Sequence, residues 1–414
     1  MRFPALLSAG LLAALVLAGC AAPVAAPRPS AAEKPAMPLR FATLNTSLYD
    51  EEHGGLIARL DEGDADARKI AAIVQHQRPD VVLLNEFDYD AAGLAADLFQ
   101  RRYLEVGQYG EQPITYPYRY LAEVNTGVPS GLDLDGDGKI GGEGRFHGND
   151  AWGYGLHPGQ YGMLVLSKFP IDAAAARSFR LLRWSALPGA LEPKHPDGRA
   201  FYPPAVWAQL RLSSKSHWDL PIDTPLGRIH LLAAHPTPPV FDGPERRNAA
   251  RNHDEIRLWA EYLTPGDKPW LCDDAVRCGG LAEGERFVIA GDYNADPADG
   301  GSLPGAIHQL LEHPRVLRYA TPRSEGAMAS AQANAVNGAH RSFAGHDTAQ
   351  FGPRNGNYRV DYVLPSVGLP VQASGVFWPA PGQPGTEWLD ATDHRMVWVD
   401  LEGADPPELS ATRP

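Results

Sequence analysis

The residues richest in chemistry stand where short apolar runs stop. Residues 286–297 read Arg-Phe-Val-Ile-Ala-Gly-Asp-Tyr-Asn-Ala-Asp-Pro. Phe287 to Ala290 has the length and composition of a buried strand. It delivers Asp292 and Asn294, spaced two apart as side chains sharing one strand face are. An acid and an amide leaving a strand end together can grip a metal ion, a water or a phosphate. An Asp/Asn turn is the competing reading. Other runs end alike. Leu39 to Leu44 delivers Asn45, Val81 to Leu84 delivers Asn85 and Glu86, and Leu231 to Ala234 delivers His235. Asp361 lies inside the alternating run Tyr358 to Leu364, where a buried acid needs a partner. Asp393 and His394 precede the last run, Met396 to Leu401. A phosphate ester is anionic and repels hydroxide. A divalent cation offsets that charge, and positioned donors hold the charge that builds up during attack. A carboxylate beside a histidine fixes its tautomer and raises its basicity.

These residues need a strand framework with helices between the strands. Residues 65–77 read as a helix with Ile70, Ile73 and Val74 on one face, stopped by Pro79. Residues 205–212 and 227–234 read as paired strands, and 374–378 as another. Residues 244–263 read as a helix with Pro244 near its start. Its Arg246, Arg247 and Arg251 suit a solvated basic face, or line a phosphate pocket. Residues 302–312 look helical and 321–357 loop-like. Residues 105–160 are Gly-rich, polar and aromatic without periodicity, which predicts a long loop insertion. Inside it, Asp133, Asp135 and Asp137 with Gly138 match the first half of an EF-hand-like calcium loop. The second half departs, with Glu143 one place before Gly144 at the twelfth position. A Ca2+ ion in the 133–144 loop and an acidic surface turn both remain open.

Taken together and in order, Asn45, Glu86, His235, Gly-Asp-Tyr-Asn at 291–294, Asp361 and Asp-His at 393–394 resemble the endonuclease/exonuclease/phosphatase superfamily over about residues 39–402. Its members include pancreatic-type DNase, exonuclease III-like AP endonucleases, bacterial sphingomyelinases and inositol polyphosphate 5-phosphatases. The chain is most similar to secreted bacterial members. The resemblance implies an α/β fold, a four-layer αββα sandwich of two mixed β-sheets flanked by helices. It implies hydrolysis of a phosphate ester with Mg2+ or Mn2+. Glu86 would be the main metal ligand with Asn45 beside it, and Asp393 would complete the metal and His cluster. Asp292 would orient or deprotonate the attacking water and Asn294 would hold phosphate oxygens. His394 would contact the phosphate or transfer a proton, oriented by Asp361. His235 would stabilise the transition state or help the leaving group. One position departs: many nuclease relatives carry a second acid where this chain has Ser47, which weakens the case for an AP endonuclease.

Composition sets the surroundings. The 414 residues are 44% apolar and 21% charged, ordinary for a globular protein. The formal charge of −13 lacks a basic nucleic-acid footprint, so no stable nucleic-acid partner is expected. Arg2 precedes an apolar run ending Leu17-Ala18-Gly19-Cys20, which resembles a bacterial lipobox. Residues 1–19 would then be a lipoprotein signal peptide, Cys20 the lipidated residue, 20–38 an Ala/Pro-rich tether and 403–414 a tail. This predicts a lipid-anchored protein, on the outer membrane facing the periplasm or cell surface. Cys272 and Cys278, close together in an oxidising compartment, predict a disulfide rather than a metal pair. The reading is a monomeric, membrane-anchored, metal-dependent phosphodiesterase. Alternatives are a phosphomonoesterase or nuclease on the same site, or an inactive binding lipoprotein of the same fold.

Overall fold

The computed structural model describes residues 38–402; the lipobox, Cys20, the tether and the C-terminal tail lie outside them. In chain order the strands are β1 (Leu39–Leu48), β2 (Val81–Phe87), β3 (Tyr118–Tyr120), β4 (Met163–Ser167), β5 (Arg177–Ser178), β6 (His217–Thr224) and β7 (Gly227–Ala234). They continue with β8 (Phe287–Asp292), β9 (Ala349–Gln350), β10 (Asn357–Tyr358), β11 (Asp361–Pro365), β12 (Val371–Val376) and β13 (Val397–Leu401). One sheet runs β12-β13-β1-β2-β4-β3 and the other β11-β8-β7-β6-β5, with β9 and β10 paired apart. Each large sheet is mixed, with one parallel pair at its centre: β1 with β2, and β7 with β8. A parallel pair needs a long crossover. Helices Gly55–Glu62 and Ala65–Gln77 supply the first and helix Arg247–Leu263 the second.

Side-chain parity makes the layers. Phe41, Val81, Leu83 and Val165 of the first sheet pack on Leu220, Leu231, Val288 and Val363 of the second. The alternate residues Leu44, Val82, Leu84 and Leu164 turn outward onto Ile70, Ile73 and Val74. Leu232, Phe287, Ile289 and Leu364 turn outward onto Ile256, Trp259 and Leu263. The result is the expected four-layer sandwich. Helix Ala65–Gln77 matches its predicted span, with the Asp64 carboxylate accepting from the Ala67 amide and Arg78 at φ 48° closing it before Pro79.

Several expectations fail for local reasons. Residues 205–212 form no strand; Pro203 and Pro204 instead open a short helix, Pro204–Trp207. The antiparallel partner of β7 is β6, disguised in sequence by Pro221 and by Asp219 and Asp223. Asp219 is buried, accepting from His230 and the Tyr262 hydroxyl. In the second helix crossover, helical geometry begins at Arg247 rather than 244. Arg251 is tied to the backbone instead: its guanidinium donates to the carbonyls of Leu212, Trp152, Arg211 and Ser213. Arg247 pairs with Glu245, and Arg246 donates to the Gly301 carbonyl. Residues 302–312 are helical only over His308–Leu311, and 321–357 contain a helix, Glu325–Ala333, capped by Ser324. The 105–160 insertion holds β3 and a short helix, Arg145–Asn149. Cys272 and Cys278 are disulfide-bonded.

Candidate active site

The parity that builds the core also aims the polar residues. On β1, Phe41, Thr43 and Asn45 share the face that meets the second sheet, and on β2 Val81, Leu83 and Asn85 do. On β8, Val288, Ala290 and Asp292 face back, and β7 continues Leu231, Ala233 into His235. Both parallel pairs therefore deliver polar residues at their carboxyl ends, into the same end of the space between the sheets. Gly291 permits this approach, since a Cβ there would lie 2.0 Å from the Ala234 carbonyl oxygen. Glu86 would follow parity to the outer face, but its φ of 53° kinks β2 one residue before its end. Ser47 (φ 50°) and Asn294 (φ 51°) do the same at the neighbouring strand ends. Left-handed backbone in non-glycine residues is strained, and it clusters at functional sites.

The second sheet adds Asp361, set directly across from Asp292 in the β11–β8 register. His394 precedes β13 and reaches both acids. Its Nδ1 lies 2.9 Å from Asp361 Oδ2 and its Nε2 3.6 Å from Asp292 Oδ2. Thr348 fixes Asp361 by donating its hydroxyl to the same Oδ2 at 2.8 Å and accepting the Val360 and Asp361 amides at 3.0 Å each. Asp292 is equally constrained. Asn45 Nδ2 donates to its Oδ2 at 3.1 Å and the Asn294 amide to its Oδ1 at 2.9 Å. His235 Nε2 lies 3.4 Å from Asp292 Oδ2 and 4.0 Å from Glu86 Oε1. Asp393, its carboxylate half exposed, lies 3.7 Å from His394 Nε2. Asn294 Nδ2 donates to the Pro236 carbonyl at 3.2 Å.

Electrostatics follow from burial and neighbours. Burial raises the Asp292 pKa to about 7 against the pull of His394, with Asp361 adding to the rise. Burial opposes charge on His394, yet the carboxylates of Asp361 and Asp292 outweigh it and lift the imidazolium to about 10. His235 goes the other way: burial, then the cations Lys215 and His394, hold it well below the usual range, so it is neutral. Burial raises Glu86, while Asn45, His394 and Lys215 favour its charged form.

The family model described as "Endonuclease/Exonuclease/phosphatase family" matches residues 42–394. The chain belongs to this family. Its members are metal-dependent phosphoric ester hydrolases, and this chain is one. No curated protein matches it. Among solved structures it is similar to the endonuclease/exonuclease/phosphatase of Beutenbergia cavernae, at 18% identity over 89% of this chain and 72% of that one, TM-score 0.49. Sphingomyelinase C from Streptomyces griseocarneus is similar at 18% identity, over 88% and 99%, TM-score 0.44. A truncated Caenorhabditis elegans TDP2 is similar at 11% identity, over 88% and 97%, TM-score 0.38.

The site of this family member fits a hard divalent cation. Glu86 keeps its carboxylate 23% exposed at the mouth, beside Asn45, and Asp361 Oδ1 is buried without a partner. Asp292, Asp361 and His394 bring one ligand atom each within 4.8 Å of one another. That triple is better suited to moving protons than to holding the ion. Both His394 nitrogens already face carboxylates, and Mg2+ prefers oxygen. The glutamate–amide pair is the better cradle.

Sequence reasoning gave no role to four residues. Asn85 Oδ1 accepts the Asp292 amide at 3.2 Å and the Thr43 hydroxyl at 3.3 Å, tying the sheets together at the site. Its position directly after four aliphatics was signal enough. Thr392 donates to the Asn45 carbonyl at 2.9 Å and accepts the His394 amide at 3.2 Å; its place beside Asp393 pointed there. Thr348 and Lys215 sit in stretches without periodicity and carried no signal. Away from this site, Asp133, Asp135 and Asp137 converge on one another. They also accept backbone amides of their own turn, Asp133 from Gly136 and Gly138, Asp135 from Asp137 and Asp137 from Lys139.

Proposed function

We propose that this family member is a phosphodiesterase that works outside the cytoplasm, anchored through lipid on Cys20. It would hydrolyse its ester by direct attack of water. The observation that carries the reaction is the placement of a raised carboxyl, Asp292, beside an imidazolium, His394, with Asn45 and Asn294 fixing the acid. Asp292 takes the proton of the attacking water and His394 donates to the phosphate or to the departing oxygen. Asp361 and Thr348 keep the His394 ring in place. Asn294 turns its amide from the Pro236 carbonyl to a phosphate oxygen. Neutral His235 supplies a hydrogen bond without adding charge. Mg2+ or Mn2+ bound at Glu86 and Asn45, with Asp393 nearby, would offset the phosphate charge and polarise the P–O bond. Four carboxylates against few cations suit a diester monoanion better than a monoester dianion.

The test is a hydrolysis screen with Mg2+, Mn2+ and Ca2+. It compares a chromogenic phosphodiester, a phosphomonoester, plasmid DNA and sphingomyelin. Metal-dependent turnover of the chromogenic diester above the monoester is expected. Preference for the monoester, or turnover of none of the four, would sink the reading. We further propose that Ca2+ on Asp133, Asp135 and Asp137 orders the 133–144 loop; calorimetry on the Asp135→Asn variant should show one Ca2+ site fewer than wild type.

A further inference from the structure

The sequence before β6 reads Ser213-Ser214-Lys215-Ser216. The β6–β7 register pairs His217 with Ala234, so stepping outward sets Ser216 by His235 and Lys215 by Pro236. A second link pins the two segments. The buried Glu255 accepts the Ser214 amide on one carboxylate oxygen and the Thr237 amide on the other, both at 2.6 Å. On the far side, the Lys215 carbonyl accepts the Asn125 amide at 2.9 Å, and Asn125 Nδ2 donates to the Ser213 carbonyl at 2.8 Å. Lys215 is thus held rigidly at the end of the second sheet that carries His235 and Asp292.

Its ammonium group is what needs explaining. Lys215 is 6% exposed. A buried lysine is ordinarily paired, because an unpaired buried charge is costly. Yet among the described residues no carboxylate lies within ion-pairing distance of Lys215 Nζ and no hydrogen bond engages it, while Arg177, Arg40 and Lys168 all have carboxylate partners. Glu255, the acid that acts most strongly on it, spends both oxygens on backbone amides. Electrostatically Lys215 feels Glu86 and Asp292 as well as Glu255, and burial lowers its pKa against their pull. It acts in turn on Glu86 and His235.

We propose that Lys215 is a phosphate-binding residue of this site, whose ammonium group takes a non-bridging oxygen of the substrate phosphate. The inference rests on the phosphoesterase reading above and adds a residue to it. In that role the missing partner is the substrate itself. The fixed cation would hold the anion on the His235 side while Asp292 and His394 act from the other. It would also stabilise the charge that gathers on the non-bridging oxygens as water adds. Stability kept low by a largely desolvated lysine without a carboxylate partner is a usual cost of a binding site.

The experiment replaces Lys215 by Met, which keeps the length and loses the charge, and by Arg, which keeps a charge. Three quantities are read with Mg2+ present: inorganic phosphate affinity by calorimetry, kcat and KM on the chromogenic diester, and Tm. Lys215→Met should weaken phosphate binding about tenfold and cut kcat/KM about a hundredfold, the scale of removing one charge-stabilising donor. Its Tm should equal or exceed wild type. Lys215→Arg should retain more of both phosphate affinity and activity than Lys215→Met. The inference is overturned if Lys215→Met binds phosphate like wild type, or if Met and Arg variants lose Tm and function together, which is the mark of a structural lysine. A wild-type protein that binds phosphate through Lys215 yet hydrolyses no ester would leave this inference standing and remove the function proposed above.

Discussion

Two histidines face one oxygen of Asp292 and hold different charge states. His394 lies 3.6 Å from it and His235 3.4 Å, so distance to that acid does not separate them. The other nitrogen does. His394 Nδ1 rests on Asp361, whereas His235 Nδ1 is buried without a partner and sees the cations of Lys215 and His394. Proton donor and neutral hydrogen-bonding group are therefore set by what stands behind each ring. Asp292→Ala and His394→Ala should each lower turnover by about a hundredfold or more, and a purified variant with near wild-type kcat would remove that residue from the mechanism. The pH profile has a definite sign. Asp292 must be ionised to accept a proton, so activity falls as pH drops through its raised pKa of about 7. His394 must be charged to donate, so activity falls again as pH climbs through about 10. Asp361→Asn removes the largest of the charges lifting His394, so the alkaline limb should move to lower pH with a milder loss than His394→Ala. An alkaline limb that stays put in Asp361→Asn would show that another group sets it.

At the scale of strands and turns, what could be read from sequence was where apolar runs end. Phe287 to Ala290 and Val81 to Leu84 are strands because parity buries both faces, and the change to Asp292 or Asn85 and Glu86 marks where the apolar core gives way to the polar site. What could not be read was the backbone sign at Ser47, Glu86 and Asn294, since none is a glycine and each takes a left-handed φ from its tertiary setting. Strand β6 was hidden because Pro221 and two aspartates do not look like a strand; Asp219 is tolerated by its bonds to His230 and Tyr262. If Glu86 is held in its turn to bind metal, Glu86→Ala should act mainly by weakening that binding. Chelation should abolish hydrolysis in wild type, and millimolar Mg2+ or Mn2+ should restore Glu86→Ala in part. A variant that excess metal leaves untouched would assign Glu86 to proton transfer instead. The Cys272–Cys278 loop makes the opposite prediction. It is joined to edge strand β5 through the Asp274 amide on the Ser178 carbonyl and Arg177 on Asp273. Two strands separate β5 from β8. Cys272→Ser should therefore cost about 2 kcal/mol of stability at most, the closure entropy of so short a loop, with kcat unchanged. A fall in kcat at temperatures well below Tm would overturn that separation.

At the scale of the whole molecule, two sheets that each carry one parallel pair meet face to face. Their carboxyl ends open on one side, so the site is a product of the packing and not of any single motif. This is why residues from 45 to 394 can act together although only Asp292–Asn294 and Asp393–His394 are close in sequence. Anchoring concerns a part of the chain outside the described residues. Every residue given a role in hydrolysis lies between Asn45 and His394, while the proposed lipobox ends at Cys20. Anchoring and chemistry should then separate cleanly. In a bacterial host, Cys20→Ser should remain as an uncleaved precursor or leave the membrane fraction, and the released protein should hydrolyse a soluble chromogenic diester with the wild-type kcat. On a substrate presented in vesicles the same variant should lose activity through KM alone, since tethering raises the local concentration of the site at the membrane without touching its geometry. A Cys20→Ser protein that fractionates and migrates as wild type does would end the lipoprotein reading, and a changed kcat on the soluble diester would mean that the N-terminal segment reaches the site after all.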